Sequence, residues 1–338
     1  MEKVNSSLIC VVAAASIAAC GGGGDSTTSG APVAATPVQA TAQLVTTVPA
    51  PTYAAGSEEL LAFNYFNGER SRCGFGKLAQ SVPLDKATKA HADYQLINNL
   101  LGHYQNAAQF PNGFTGVEPS DRVVFQGYDD LGQVTDEIDA YANNDNSKVG
   151  GGRKSIAGLL NAPYHAAGML REYRDVGGSI RSGVDVGKPN GRVVAQYNLA
   201  YKRKDGAQDL PAGTISSYPC NGSVGIERGL YNETPNPVPG RNLRVSPLGS
   251  QSFFRAGRND ILEIISVKYA KKSDGELVPL RTVLTAKFNP NPDYLIGENE
   301  AIVLADTLMM PSTVYVRTTV LKLNGRTQTD IAEFTTGP

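Results

Sequence analysis

Residues 21–54, GGGGDSTTSGAPVAATPVQATAQLVTTVPAPTYA, carry one charge, Asp25, and are otherwise almost entirely Gly, Ala, Ser, Thr, Pro and Val. A segment of this composition buries too little apolar surface to offset the entropy of ordering it. It therefore reads as a disordered tether, and any packed fold has to be built from about residue 55 onward. With 338 residues, 41% of them hydrophobic and 19% charged, the rest of the chain has room for a sizeable core or two domains.

Ahead of the tether stands MEKVNSSLICVVAAASIAAC. Its apolar run from about Leu8 to Ala19 is too short to span a bilayer and reads as the hydrophobic part of a signal peptide. Ile17-Ala18-Ala19-Cys20 fits a bacterial lipobox, in which small residues before the cysteine allow cleavage and the new N-terminal thiol is acylated. The alternative is an ordinary signal peptide cut nearby, which leaves the cysteine placement and the following glycines unexplained. The expectation is residues 1–19 as a lipoprotein signal peptide, residues 20–54 as a lipidated tether, and attachment to the membrane through Cys20. The protein is then extracytoplasmic and lipid-anchored in a bacterial envelope, in the outer membrane if the cell is Gram-negative. A formal charge of −1 offers no electrostatic footprint for nucleic acid.

Of four cysteines, Cys10 leaves with the signal and Cys20 takes the lipid. Cys73 and Cys220 remain, and an even pair in an oxidising compartment is most simply one disulfide. A reactive Cys73 is the competing reading, though neither thiol has a histidine near it in sequence.

Past the tether the pattern changes. Ser57-Glu58-Glu59 before Leu60, Leu61, Phe63 and Phe66 predicts an N-capped helix. Pro83-Leu84-Asp85, followed by an apolar stripe through Ala87, His91, Tyr94 and Ile97, predicts a second. Shorter helices are expected over 120–126 and 154–160, the latter ending at Asn161-Ala162-Pro163. Extended pieces are expected at 177–180 and 192–197. Asn236-Pro237-Val238-Pro239-Gly240 is a breaker cluster. Beyond it, β-branched and aromatic runs at 261–269, 280–288, 313–323 and 327–335, with turns at Ser273-Asp274-Gly275 and Asn324-Gly325, predict an antiparallel sandwich.

Three motifs in order mark the first half. Residues 60–99, LLAFNYFNGERSRCGFGKLAQSVPLDKATKAHADYQLINN, hold a helix ending Asn-x-Glu-Arg, then Leu-Asp before a helix bearing Ala-His-Ala-Asp. Residues 113–128 give GFTGVEPSDRVVFQGY, and residues 158–180 give GLLNAPYHAAGMLREYRDVGGSI. Together they resemble the bacterial branch of the CAP superfamily, the group of cysteine-rich secretory, antigen 5 and pathogenesis-related proteins. YPCNGSVG and NPVPG further on resemble the segment after the domain in a lipoprotein-type subgroup. The resemblance implies an α-β-α sandwich with a cleft lined by histidines and acids. The expected fold is thus α+β: a CAP-type domain over 55–240, then an all-β immunoglobulin-like sandwich over 241–338, the latter a looser likeness of texture.

The chain has three histidines. His91, on the second helix, lies twelve residues before His103; on a continuous helix they would sit about 18 Å apart along the axis, too far to share one ion. His91 is read as a packing residue. By the resemblance, His103 and His165 fall at the two cleft positions. The cleft acid is Asp136, or Glu137 if one residue is inserted, because Val134-Thr135-Asp136-Glu137-Ile138 departs from the family's Gly-Glu-Asn. A second family glutamate has no counterpart in Ser155-Ile156-Ala157-Gly158-Leu159-Leu160.

Two imidazoles and a carboxylate are a donor set for Zn²⁺ or another divalent cation, so His103, His165 and Asp136 are the candidate metal ligands. No serine, cysteine or threonine sits in a nucleophile motif, and no zincin helix or phosphate loop is present. The chain therefore reads as a binding or interaction module, acting through a His/acid cleft on an envelope or extracellular ligand, rather than as an enzyme. The alternative is a metal-dependent hydrolase acting on envelope material.

Overall fold

A computed structural model describes residues 43–292 and 294–338. The expected signal peptide, Cys20 and the expected tether as far as residue 42 lie outside the described residues.

Helix α1 (Glu58–Arg72) starts where Ser57 Oγ accepts the Leu60 N–H at 3.2 Å. Glu58 and Glu59 in its first turn and Arg70 and Arg72 in its last complement the helix dipole. Its Asn-x-Glu-Arg ending has structural work to do. Asn67 pairs with both backbone groups of Leu78, at 3.0 and 2.8 Å. The buried Arg70 guanidinium donates to the carbonyls of Phe75, Gly76 and Met169, which fixes the loop leading to β1 (Ala79–Gln80).

Next come α2 (Val82–Asn98), closed by Asn99 in the left-handed conformation, α3 (Pro119–Phe125), β2 (Leu131–Ala142), α4 (Gly151–Asn161), α5 (Pro163–Leu170), β3 (Asp175–Ser182) and β4 (Arg192–Lys202). The four strands form one sheet in the order β1-β3-β4-β2, which leaves β2 at an edge. Strand alternation shows on β4. Val194 and Ala200 pack with Ala92, Leu96, Leu84 and Val123 of α2 and α3. Val193, Ala195, Tyr197 and Leu199 join Phe63, Phe66, Ile156 and Leu160 of α1 and α4. Helices thus cover both faces, an α-β-α sandwich. Pro163, expected to end a helix, instead opens α5 at a position where a missing N–H costs nothing.

The second half is all β: β5 (Ile215–Tyr218), β6 (Ser223–Ile226), β7 (Gly229–Leu230), β8 (Leu248–Gly249), β9 (Gln251–Ala256), β10 (Leu262–Lys271), β11 (Leu277–Val278), β12 (Leu284–Thr285), β13 (Glu300–Leu304), β14 (Val314–Leu323) and β15 (Arg326–Thr336). One sheet runs β11-β10-β14-β15-β6 and another β12-β13-β9-β5, with β7 and β8 a separate pair. The buried Arg317 of β14 crosses between the two larger sheets, lying 4.6 Å from the Phe254 ring centre and donating to Ser252 Oγ and Ser217 Oγ. The expected strand over 280–288 is reduced to β12. Thr285 Oγ1 accepts the N–H groups of Lys287 and Phe288, and this turn curls the backbone away from a ladder.

Two expected boundaries shift. Residues 43–54 do not belong to a free tether: Val45 receives the Lys77 N–H and donates to Gln208, and Tyr53 OH donates to Asp85 at 2.5 Å. Nor do the halves part at residue 240, since β5 pairs with β9 and β6 with β15. One apolar core runs through both halves, and the described residues form a single compact unit. Arg171 at the end of α5 meets Glu300 of β13 through two hydrogen bonds, of 2.9 and 2.7 Å. Cys73, which caps α1, is bonded to Cys220 between β5 and β6.

Candidate functional site

Consecutive residues of β2 point to opposite faces of the sheet, so the two candidate acids part company. Asp136 turns toward α2 and α3, fully buried. It accepts from Arg122 Nη2 at 3.0 Å, Asn198 Nδ2 at 2.9 Å and Gln196 Nε2, and it meets His103 Nδ1 at 3.2 Å. Gln196 and Asn198 alternate on β4, which brings both onto this face. Arg122 also donates to the carbonyls of His103 and Val117, so one guanidinium holds both the acid and the loop that carries the histidine. Burial would push the Asp136 carboxyl up, but the His103 hydrogen bond and the Arg122 charge outweigh it and hold the group below the usual carboxylate range.

His91 backs this network, 1% exposed. Its Nε2 donates to Gly102 O at 2.9 Å, and its Nδ1 accepts from Gln105 Nε2 at 2.9 Å. Burial lowers its pKa to about 4, and the facing charges of Asp136, Arg122 and His103 modify that. It packs, as its place on α2 suggests, and it also positions the loop that ends in His103.

The folded pKa of His91 lies below the ordinary 6.5, so the unfolded chain takes up the proton first as pH falls. Stability should therefore drop between about pH 6.5 and about pH 4, by about 2–3 kcal/mol from this group. Urea unfolding of wild type and His91→Gln at about pH 7 and about pH 4.5 should show that loss in wild type and a smaller one in the variant. Equal losses would contradict the assignment.

Glu137 turns the other way, toward α5. It lies close against Gly168, where a Cβ would stand 2.0 Å from its Oε1. Burial raises the Glu137 carboxyl to about 7, against the pull of His165. His165 is the third residue of α5, and its Nδ1 lies 3.4 Å from Glu233 Oε1. The same oxygen accepts the Tyr164 N–H at 2.8 Å, a carboxylate seated at a helix N-terminus. Burial would depress the His165 imidazolium, but the Glu233 hydrogen bond and the Glu137 charge win and raise its pKa to about 9.

The four expected site residues therefore part into two groups on opposite faces of the edge strand, His103 with Asp136 and His165 with Glu137, the second joined by Glu233. Both imidazoles nevertheless line one cavity of about 530 Å³, with Asp139, Lys154, Glu227 and Tyr231 among its walls. Asp136 and Glu137 stand behind those walls. Asn161 and Glu233 also line the cavity, with Asn161 Oδ1 and Glu233 Oε2 buried and without a hydrogen-bond partner.

The expected metal set of His103, His165 and Asp136 does not fit this geometry. Among the described residues no group of three or more His, Cys, Asp or Glu side chains is placed to hold an ion. Asp136 is saturated by Arg122, Asn198 and Gln196, and His165 is held protonated, whereas coordination needs a neutral imidazole.

Sequence reasoning missed Glu233, Asp139 and Glu227. Asp139 follows Thr135 and Glu137 at strand spacing and was open to that reading. Glu233 comes from an Asn-Glu-Thr-Pro loop that carries no local signal.

No protein-family model matches the chain, and no curated protein matches it. Among solved structures, an outer surface protein of Borrelia burgdorferi aligns at a TM-score of 0.35 and 11% identity, covering 45% of this chain and 97% of that one. An extracellular protein containing an SCP domain from Bacillus anthracis aligns at 0.33 and 18% identity, covering 43% of this chain and 40% of that one. Both scores lie below the level at which a shared fold is implied.

Proposed function

We propose that this protein is a lipid-anchored, extracytoplasmic, CAP-type binding module whose cleft takes an envelope or extracellular ligand. The observation that carries the proposal is the convergence of His103 and His165 on one cavity from the two faces of β2, each backed by a buried carboxylate. Buried polar groups of this kind, held by second partners, are characteristic of a preformed ligand site. The α-β-α sandwich and the CAP motifs of the sequence support the family reading. The lipobox and the Cys73–Cys220 bridge agree with export to an oxidising compartment.

The hydrolase alternative would need a metal with an open coordination position, and the described residues offer no donor group for one. The test is nuclear magnetic resonance of the imidazole signals of the full chain against fractionated envelope fragments. A ligand should shift His103 and His165 together without being turned over. Metal-dependent turnover lost in His103→Ala would contradict the proposal.

Anchoring is tested separately. Metabolic labelling with a fatty-acid analogue should mark wild type and leave Cys20→Ser unmarked, and equal labelling of both would refute the lipobox.

A further inference from the structure

The histidine cavity abuts a second one of about 510 Å³, and the two share Lys154, Glu227, Gly229 and Tyr231 as walls. Both volumes fall within the roughly 300–1,000 Å³ usual for small-ligand sites. The ends differ in chemistry. Asp139 lines only the first, whereas Glu227 and Lys154 line both. Arg153 and Arg228 line only the second, and neither has an ion-pair partner among the described residues. Arg153 is held over the Tyr65 ring at 4.9 Å and lies against Gly225, where a Cβ would come within 2.9 Å of its Nη2. Between the ends, Tyr231 is 47% exposed, an aromatic surface in a polar groove.

We propose that this groove binds an acidic oligosaccharide, a chain of hydroxyl-bearing rings of which at least one carries a carboxylate. This assignment rests on the cleft being a ligand site and names what it takes. Hydroxyl groups donate to Asp139 and Glu227. One ring lies on Tyr231, and the carboxylate meets Arg153 and Arg228 in charge-assisted hydrogen bonds. A compact anion would use only the basic end and would face Glu227. A neutral glycan would leave the Arg153 and Arg228 guanidiniums without an anionic contact.

The test is calorimetry of the full chain with a tetrasaccharide of alternating glucuronic acid and N-acetylglucosamine, beside chitotetraose, free glucuronate and inorganic phosphate. The acidic tetrasaccharide should bind at least about tenfold more tightly than each of the others. The double variant Arg153→Gln/Arg228→Gln and the single variant Tyr231→Ala should each weaken it by about tenfold or more, with thermal unfolding checked to show that the changes leave the fold intact. Equal binding of chitotetraose, of glucuronate or of phosphate would overturn the assignment, and so would full affinity in the double variant or no binding of the tetrasaccharide. If envelope fragments still shift both histidine signals while the tetrasaccharide fails, the ligand class falls and the cleft stands. If no fragment shifts them, the cleft reading falls too.

Discussion

Replacing Asp136 with alanine should destabilise the protein by about 3–5 kcal/mol, the range for breaking a buried ion pair by removing one partner. Four neighbours depend on this carboxylate. Arg122, 1% exposed, would keep its charge with no ion-pair partner, Gln196 Nε2 would lose its acceptor inside the sheet, and Asn198 Nδ2 would keep only the Thr135 carbonyl. The fourth partner, His103, is 42% exposed on its side chain and can turn to water. The expected order of effect is therefore Asp136→Ala, then Asp136→Asn, which keeps an acceptor but not the charge, then His103→Ala at about 1 kcal/mol or less. Urea unfolding of the three variants at neutral pH measures it. Equal losses for Asp136→Ala and His103→Ala would show that the guanidinium does not depend on the acid.

The second large effect belongs to the disulfide. Replacing both Cys73 and Cys220 with serine should cost about 2–5 kcal/mol, because the bridge closes a long loop in the unfolded chain; the two residues are 147 apart in sequence. The bond also ties the end of α1 to the strands that continue into the second half. Since one core serves both halves, the loss should lower a single unfolding transition rather than release one half alone. A non-reduced digest should give the Cys73–Cys220 peptide. Two free thiols, or a first half that melts separately while the second persists, would contradict these expectations.

The parts of the fold legible in the sequence are those with strong local rules. Ser57 capping α1, the stripe of α2 and the Asn324-Gly325 turn between β14 and β15 all arise from side chains within a few residues of one another. That turn needs left-handed backbone at both positions and has it, with φ 51° and 80°. The short strands β5, β6, β9 and β13 were not legible, because each is stabilised by partners more than twenty residues away, and β9 and β13 are also buried on both faces. The same long-range pairing explains why the Pro/Gly cluster near residue 240 looked like a boundary and is not one.

The site divides in the same way. His103 and His165 were reached through the motifs that place them, and the structure brings them to one cavity. The acids were not separable, because the family likeness breaks at Val134–Ile138. Only the period of β2 decides that Asp136 goes to one face and Glu137 to the other. Glu233, which holds His165, is contributed by a loop 68 residues further on, and no local pattern announces such a partner.

If the two cleft histidines answer to separate carboxylates and meet at a ligand rather than at a metal, their imidazole signals should behave independently until a ligand joins them. Following both signals by nuclear magnetic resonance tests this most directly, first across pH and then on adding one equivalent of Zn²⁺ or an envelope fragment. The expected result is that His165 stays protonated through neutral pH and titrates near the raised value of about 9, that Zn²⁺ leaves the two signals uncoupled, and that a bound fragment shifts both. A His165 that titrates near the ordinary value of about 6.5, with both signals moving together at one equivalent of Zn²⁺, would contradict it.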